Sequence, residues 1–166
     1  MRLAIRPAIL TDLPSIVRIY NEAIDTGVSI SDRQAVSVDS RRNWFEKHTP
    51  TRRPLWVLEQ EETVIGWIGL QSYDQSPAFD ETVEVSLYIA AAHRRRGLGT
   101  KLLDHAIKEC PNLGVSVLIG FLFRQNQAIT KLNRKVGFRR WGLLPKVARA
   151  NGMYRDLVIM GLDLRA

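Results

Sequence analysis

Apolar positions recur along this chain with two periods, about 2 and about 3.6 residues, and the switches between them mark out the elements. Leu3, Ala4, Ile5 and Arg6 predict a short first strand. Leu13, Ile16, Val17, Tyr20, Ala23 and Ile24 follow at helical spacing, with Thr11 as the expected N-cap and Pro14 in the first turn, where its missing N–H does little harm. The polar stretch 26–37 predicts a loop, and 39–48 a second helix with Trp44 and Phe45 on its apolar face. After a break at 50–54, residues 55–59 and 64–71 predict a hairpin around a turn at 61–63. Residues 74–80 predict a loop and 82–90 a strongly alternating strand. Leu98, Leu102, Leu103, Ala106 and Ile107 line one face of a helix expected over 97–109. A turn at 111–114 precedes 115–123, so continuously apolar that burial on both faces is expected. A last helix over 127–136 is closed by Gly137, and strands at 138–144 and 154–164 are joined by a loop holding Pro145 and Asn151-Gly152. The order β-α-α-β-β-β-α-β-α-β-β predicts an α/β fold, a mixed central sheet of about seven strands flanked by about four helices, in a single domain over residues 1–166.

Composition narrows the class. Hydrophobic residues make up 45% and charged residues 25%, which supports a packed core and argues against disorder. The lone cysteine, Cys110, excludes an internal disulfide framework, and it forms no metal-ligand spacing with His48, His93 and His105. No apolar run is long enough to span a bilayer and the N-terminal residues lack a signal-peptide core, so a cytoplasmic protein with no membrane partner is expected. Charge is more informative. Residues 1–92 carry 9 basic and 13 acidic side chains, whereas 93–166 carry 15 basic and 4 acidic ones. The basic half fits an anionic ligand: nucleic acid, a phosphate-rich cofactor or an acidic partner, with a merely solvated basic surface as the plain alternative.

One segment concentrates chemistry. The alternating strand ending at Ile89 leads through Ala90-Ala91-Ala92-His93 into Arg94-Arg95-Arg96-Gly97-Leu98-Gly99-Thr100, where a helix begins. The first N–H groups of a helix lack intrahelical partners and carry the positive end of its dipole. Gly97 and Gly99 remove side chains so that a phosphate can approach the backbone, and Arg94 to Arg96 add full charges. The spacing is not that of a P-loop, and Leu102 stands where a dinucleotide fingerprint needs a third glycine. Glu84 lies within the same strand between Val83 and Val85, on a face with Ser86 and Tyr88. A carboxylate among apolar neighbours has a raised pKa and suits a general base; the plain alternative is a solvated strand-face glutamate.

The turn resembles the acetyl-CoA pyrophosphate loop of the GNAT superfamily of N-acetyltransferases, Q/R-x-x-G-x-G/A, at Arg94, Gly97 and Gly99. The resemblance runs over nearly the whole chain and is close to the phosphinothricin and methionine sulfoximine acetyltransferase-like branch. It is carried by Ile5-Arg6-Pro7-Ala8, Ile19-Tyr20-Asn21-Glu22-Ala23, Arg42-Asn43-Trp44-Phe45, Val83-Glu84, Ser86-Leu87-Tyr88-Ile89, Asn126-Gln127-Ala128 and Val136-Gly137-Phe138. Leu144-Pro145-Lys146-Val147 and Arg155-Asp156-Leu157 also look like that branch. The resemblance implies a GNAT domain that takes acetyl-CoA as co-substrate and acetylates the primary amine of a small molecule by direct transfer in a ternary complex. It implies a strand splayed at a bulge, with the pantetheine arm added beside the backbone of Leu87, Tyr88 and Ile89. It also implies that Arg94, Arg95, Arg96, Gly97, Leu98, Gly99 and Thr100 wrap the pyrophosphate, and that Asn126 reaches the pantetheine, a role compatible with that of an ordinary N-cap. Glu84 becomes the base, directly or through water, and the Leu87 N–H the oxyanion donor. A homodimer fits what is common in the branch.

Two positions depart from that pattern. Asn133 stands where relatives carry Tyr or His as general acid for a leaving thiolate of pKa about 8.5, and an amide has no titratable proton. Either the thiolate leaves unaided, or Tyr88, Tyr154 or water supplies the proton, or activity is weak. The loop 73–80 also lacks the arginine with which amino-acid-acetylating members pair a substrate carboxylate. The rival reading is a catalytically weak acyl-CoA-binding or regulatory module. No nucleic-acid motif is visible, and a CoA phosphate cluster accounts for much of the basic half, so no nucleic-acid partner is expected.

Overall fold

The two periods resolve into one sheet with helices on both faces. The structure, a computed structural model, describes residues 2–27 and 32–165; residues 28–31 of the expected loop lie outside the described residues. The strands are β1 (Leu3–Pro7), β2 (Leu55–Gln60), β3 (Thr63–Ser72), β4 (Thr82–Ile89), β5 (Val117–Phe123), β6 (Arg139–Ala150) and β7 (Met153–Asp163). They form a seven-stranded sheet in the order β1-β2-β3-β4-β5-β7-β6, antiparallel throughout except for β4 against β5. The helices are α1 (Leu13–Asp25), α2 (Val38–Glu46), α3 (Leu98–Glu109) and α4 (Gln127–Lys135).

Strand alternation divides the apolar residues into two cores. Leu55, Val57, Val64 and Trp67 pack with Ile16, Ile19 and Tyr20 of α1, and Trp44 and Phe45 of α2 join them. Trp67 is fully buried, and its indole N–H donates to the carbonyl of Ile16 at 3.1 Å, which satisfies the polar atom that so large a ring carries inward. Leu58, Ile68, Leu70, Val83 and Leu118 point the other way, against Leu102, Leu103 and Ala106 of α3, with Ile129, Leu132 and Val136 from the α4 side. The second core lies under the basic, glycine-containing turn and fixes where α3 begins.

Four local expectations change. Thr11 is not the cap of α1: a short 3-10 turn over Leu10–Asp12 comes first, and the helix starts at Leu13. Central β5 is only half-buried at Ile119, Gly120 and Phe121, because its pairing with β4 ends at Ile119. The loop expected around Pro145 is instead part of β6, which runs as an edge strand to the Asn151-Gly152 turn. The register of β6 shifts between Leu144 and Ala148, Lys146 takes φ 52°, and its N–H donates to Asp156 Oδ1 at 2.9 Å; a proline is tolerated at such an edge irregularity. Asn151 and Gly152 have φ of 51° and 74°, as a tight two-residue hairpin turn requires. Finally, β4 has no bulge: its pairing with β3 is regular from Ser72↔Val83 to Gly66↔Ile89.

Asp12, buried at 7% exposure, ties β1 to the start of α1. Its carboxylate accepts from both terminal nitrogens of Arg6 at 2.7 and 2.9 Å and from the Ile9 N–H at 2.8 Å. Burial alone pushes the Asp12 carboxyl up, but the Arg6 and Ile9 hydrogen bonds and the Arg6 charge outweigh it and hold the group below its ordinary pKa. A lowered folded pKa means that the stabilisation is present above the unfolded value and lost as pH falls through the folded one. Arg6 keeps a second partner, Glu59 Oε1 at 2.8 Å from its Nε, so Asp12→Asn is expected to lower unfolding free energy at pH 7 by about 1.5 kcal/mol and to flatten the loss of stability below about pH 4. Urea titrations at the two pH values check this; equal stability at pH 7 would show that the pair contributes nothing.

Candidate active site

Pairing between β4 and β5 runs through Thr82↔Val117, Val83↔Leu118 and Glu84↔Ile119 and then stops, although β4 continues to Ile89 and β5 to Phe123. The strands part there. The phase of the β3–β4 ladder decides what the opening exposes. Tyr73 N–H donates to Thr82 O at 3.3 Å and Ala90 N–H to Ile65 O at 2.8 Å, so directly opposed residues are hydrogen-bonded to each other at these two ends. Alternation in an antiparallel ladder then turns the backbone of Glu84, Ser86 and Tyr88 toward β3, and that of Val85, Leu87 and Ile89 toward the opening. Leu87 and Ile89 thus present backbone groups to the cleft. Tyr88 does not: its backbone is spent on Trp67. Ile89 O is already taken by Arg94 Nε at 3.0 Å.

The cleft has a volume of about 520 Å³. One end is the turn into α3. Gly97 holds φ 75° with open space where a side chain would be, and Arg95 before it also has a positive φ, 64°. The first bond of α3 is Lys101 N–H to Gly97 O at 3.2 Å, which leaves the N–H groups of Leu98, Gly99 and Thr100 without intrahelical acceptors. Gly99 serves helix packing as well: a Cβ there would meet Leu132 Cδ1 at 2.5 Å, so this glycine lets α4 close on α3. Arg94, Arg95, Gly97, Leu98 and Gly99 border the cleft, whereas Arg96 and the Thr100 side chain do not.

The opposite wall comes from α4 and β4. Asn126 caps α4, its side-chain oxygen accepting from Ile129 N–H at 3.3 Å while the residue also borders the cleft. Asn133 is buried at 8% exposure and borders it too. Glu84 and Ser86 reach the cleft from the α1 side of the sheet, where Ala23 of α1 also borders it. Half-burial pushes the Glu84 carboxyl above its ordinary pKa. Gln71 sits opposite Glu84 on β3 and donates to Ser86 Oγ at 3.4 Å.

Sequence reasoning missed one support. Glu22 Oε2 accepts the Ala91 N–H at 2.7 Å, pinning the exit of β4 to α1. His93, beside the arginines, borders the cleft and is half-buried, with Nδ1 enclosed and unpartnered among the described residues. A contact between residues 22 and 91 leaves no periodic signal. The position of His93 follows only from the turn that Glu22 fixes.

Comparison with known proteins agrees with this geometry. The profile of the Acetyltransferase (GNAT) family matches residues 15–138. The chain is 40% identical over 154 residues to a candidate phosphinothricin acetyltransferase, YwnH of Bacillus subtilis, covering 92% of this chain and 94% of that protein. It is 32% identical over 162 residues to an L-methionine sulfoximine/L-methionine sulfone acetyltransferase of Salmonella typhimurium, covering 98% and 95%. A crystal structure of a phosphinothricin acetyltransferase from Sinorhizobium meliloti in complex with acetyl-CoA superposes with a TM-score of 0.92 at 27% identity, covering 99% of this chain and 89% of that one.

Gly97→Val keeps the space but forces a β-branched residue into left-handed backbone, which costs about 1–2 kcal/mol and reshapes the turn. Acetyl-CoA affinity measured by calorimetry is expected to weaken by at least about tenfold. Unchanged affinity in the folded variant would remove this turn from the ligand site.

Proposed function

Because the chain belongs to the Acetyltransferase (GNAT) family, we propose that it transfers the acetyl group of acetyl-CoA directly to the primary amine of a small molecule, with donor and acceptor bound together and Glu84 as the base. One observation carries the reading: the Glu84 carboxylate and the outward-facing Leu87 N–H border the same opening, the first from one face of the sheet and the second from the strand edge. The cleft fits an extended donor with an anionic end. It offers a free strand edge for an amide-bearing arm, and at its end an open turn with three unsatisfied helix N–H groups beside Arg95.

Bound there, acetyl-CoA supplies a thioester carbonyl as acyl donor. An ammonium has no lone pair, so Glu84 takes the amine proton, directly or through water; its raised pKa brings its basicity closer to the task. Leu87 N–H donates to the carbonyl oxygen as negative charge develops on it. Asn133 offers an amide hydrogen bond at the buried end of the cleft but no proton. The acceptor is an amino-acid-like or other small amine, as the names of the relatives support. No helix among the described residues is long and apolar enough to cross a membrane, in line with a cytoplasmic enzyme. The reading extends to a homodimer, supported by the exposed Val147, Met153 and Tyr154 on the β6–β7 arm; sedimentation as a monomer at micromolar concentration would exclude it.

The test is thiol release against a panel of primary amines. Glu84→Gln is expected to lower turnover by about 10²-fold with acetyl-CoA affinity unchanged. As the base works deprotonated, wild-type rate falls as pH drops through the raised Glu84 value, a midpoint above the usual ~4.3, and shows no alkaline fall assignable to position 133. Asn133→Ala should cost one hydrogen bond, about 0.5–1.5 kcal/mol of transition-state stabilisation. A several-thousandfold loss would make Asn133 indispensable and overturn that part. Asn133 also favours the second reading, an acyl-CoA-binding regulatory module; tight binding with no thiol release from any amine would decide for it.

A further inference from the structure

The face of β4 that carries Glu84 carries a second polar side chain, Ser86. In the β3–β4 ladder Glu84 stands opposite Gln71, Ser86 opposite Gly69 and Tyr88 opposite Trp67. Opposed residues share a face, and Trp67 and Tyr88 pack with α1, so Glu84, Ser86 and Gln71 lie on the α1 side. Two residues separate Glu84 from Ser86, which puts their Cβ atoms about 7 Å apart. Both border the cleft.

Ser86 is held from one side. Gln71 Nε2 donates to its Oγ at 3.4 Å, diagonally across the ladder. Gly69, directly opposite, offers no side chain. A Cβ there would meet His48 Nε2 and Leu55 Cδ1 at 3.2 Å each, so other side chains fill that place. A serine hydroxyl has two lone pairs and one proton. The Gln71 bond uses one lone pair, and the rest of the hydroxyl has no partner among the described residues. The Glu84 carboxylate has none either: burial alone raises it, with no ion pair or hydrogen bond among the described residues. Arg94 and Arg95, the cationic side chains that border the cleft, stand in the turn into α3.

The backbone places this hydroxyl beside the acyl carbonyl. The N–H of Leu87, which faces the opening, belongs to the peptide that follows Ser86, so an oxygen bound to that N–H lies one residue from the Ser86 side chain. A primary amine that has given a proton to Glu84 keeps two N–H bonds and one lone pair. It reacts when the lone pair points at the carbonyl carbon, and an acceptor for one N–H bond fixes that direction. Ser86 stands between Glu84 and the Leu87 N–H, with a lone pair to spare.

Resting on the acetyltransferase reading, we propose that Ser86 Oγ accepts a hydrogen bond from the bound acceptor amine and turns its lone pair toward the acetyl carbon held at the Leu87 N–H, with Gln71 as the positioning residue that fixes the hydroxyl. The amine proton goes to Glu84, the nitrogen bonds the carbonyl carbon, and the C–S electron pair departs with the thiolate. Ser86 exchanges no proton. Its contact is to the amine and not to the rest of the acceptor, so it serves amino acids and simple alkylamines alike.

Steady-state thiol release from acetyl-CoA tests this with L-methionine sulfone, n-butylamine and the other primary amines of the panel. Ser86→Ala is expected to lower kcat/KM for amino-acid and alkylamine acceptors by the same factor, at least about tenfold, with acetyl-CoA affinity by calorimetry within about twofold. Ser86→Thr, which keeps the hydroxyl, should recover most of the loss. Gln71→Leu should cost about three- to tenfold alone and nothing further in the Ser86→Ala background. The acidic limb of the rate profile, set by Glu84, keeps its midpoint in Ser86→Ala. A loss confined to amino acids would assign Ser86 to the acceptor carboxylate, and an equal loss of acetyl-CoA affinity would assign it to the donor. A displaced acidic limb would assign it to Glu84, and a full Gln71→Leu loss in the double variant would show that Gln71 acts apart from it. Each of these results, like an unchanged kcat/KM, overturns the inference and leaves the acetyltransferase standing. No thiol release by the wild type with any amine overturns the acetyltransferase reading and this one together.

Discussion

Three parallel pairs hold β4 to β5, and the rest of the site depends on their stopping at Glu84 and Ile119. Buried backbone groups are expensive to leave unpaired, so a strand that leaves its neighbour in mid-sheet must give its N–H and C=O groups to something else. Here the regular β3–β4 ladder settles which groups those are, turning Val85, Leu87 and Ile89 to the gap and Ser86 and Tyr88 away. One of the outward carbonyls, that of Ile89, is closed off by Arg94, which sets the far limit of the open edge next to the turn into α3. Backbone hydrogen bonding thus fixes the direction in which a ligand must lie before any side chain is considered.

The polar contacts around the gap divide their work. Gly97 provides a left-handed backbone and empty space, whereas Gly99 provides a flat surface for Leu132, so two glycines in one short motif answer to different constraints. Asn126 caps a helix with its oxygen while bordering the cleft. Glu22 serves the cleft from α1 by holding the amide of Ala91. On the far face, burial raises the pKa of Glu84 beside the same gap that exposes Leu87, so the proposed base and the proposed oxyanion donor share one opening.

The element order, the strand-turn-helix around Gly97 and the position of Glu84 were legible in the sequence because each has a local signal: period, glycine spacing, or a charge in an apolar run. Thr11 failed as a cap because it lies inside a 3-10 turn that precedes α1, and Asp12 of that turn is held by Arg6 from β1, a contact across the fold that no window reveals. Pro145 read as a loop because proline breaks ladders; it is accommodated at an irregular edge held by Asp156, another nonlocal partner. The bulge implied by the resemblance is absent from β4, and Tyr88 faces β3, since ladder phase depends on which pairs exchange hydrogen bonds and both phases have the same alternation in sequence. The packing role of Gly99 could not be read without α4 beside it.

The short seam also bears on how the molecule breathes. It divides the sheet into two blocks that are continuous in sequence, β1 to β4 and β5 to β7, each a set of antiparallel neighbours. The seam is the natural line of sub-global opening, since few bonds must break for the blocks to separate there. A ligand lying along the gap bridges the blocks and joins what the backbone leaves apart, so occupancy slows amide exchange on both sides of the seam together, by mass action alone.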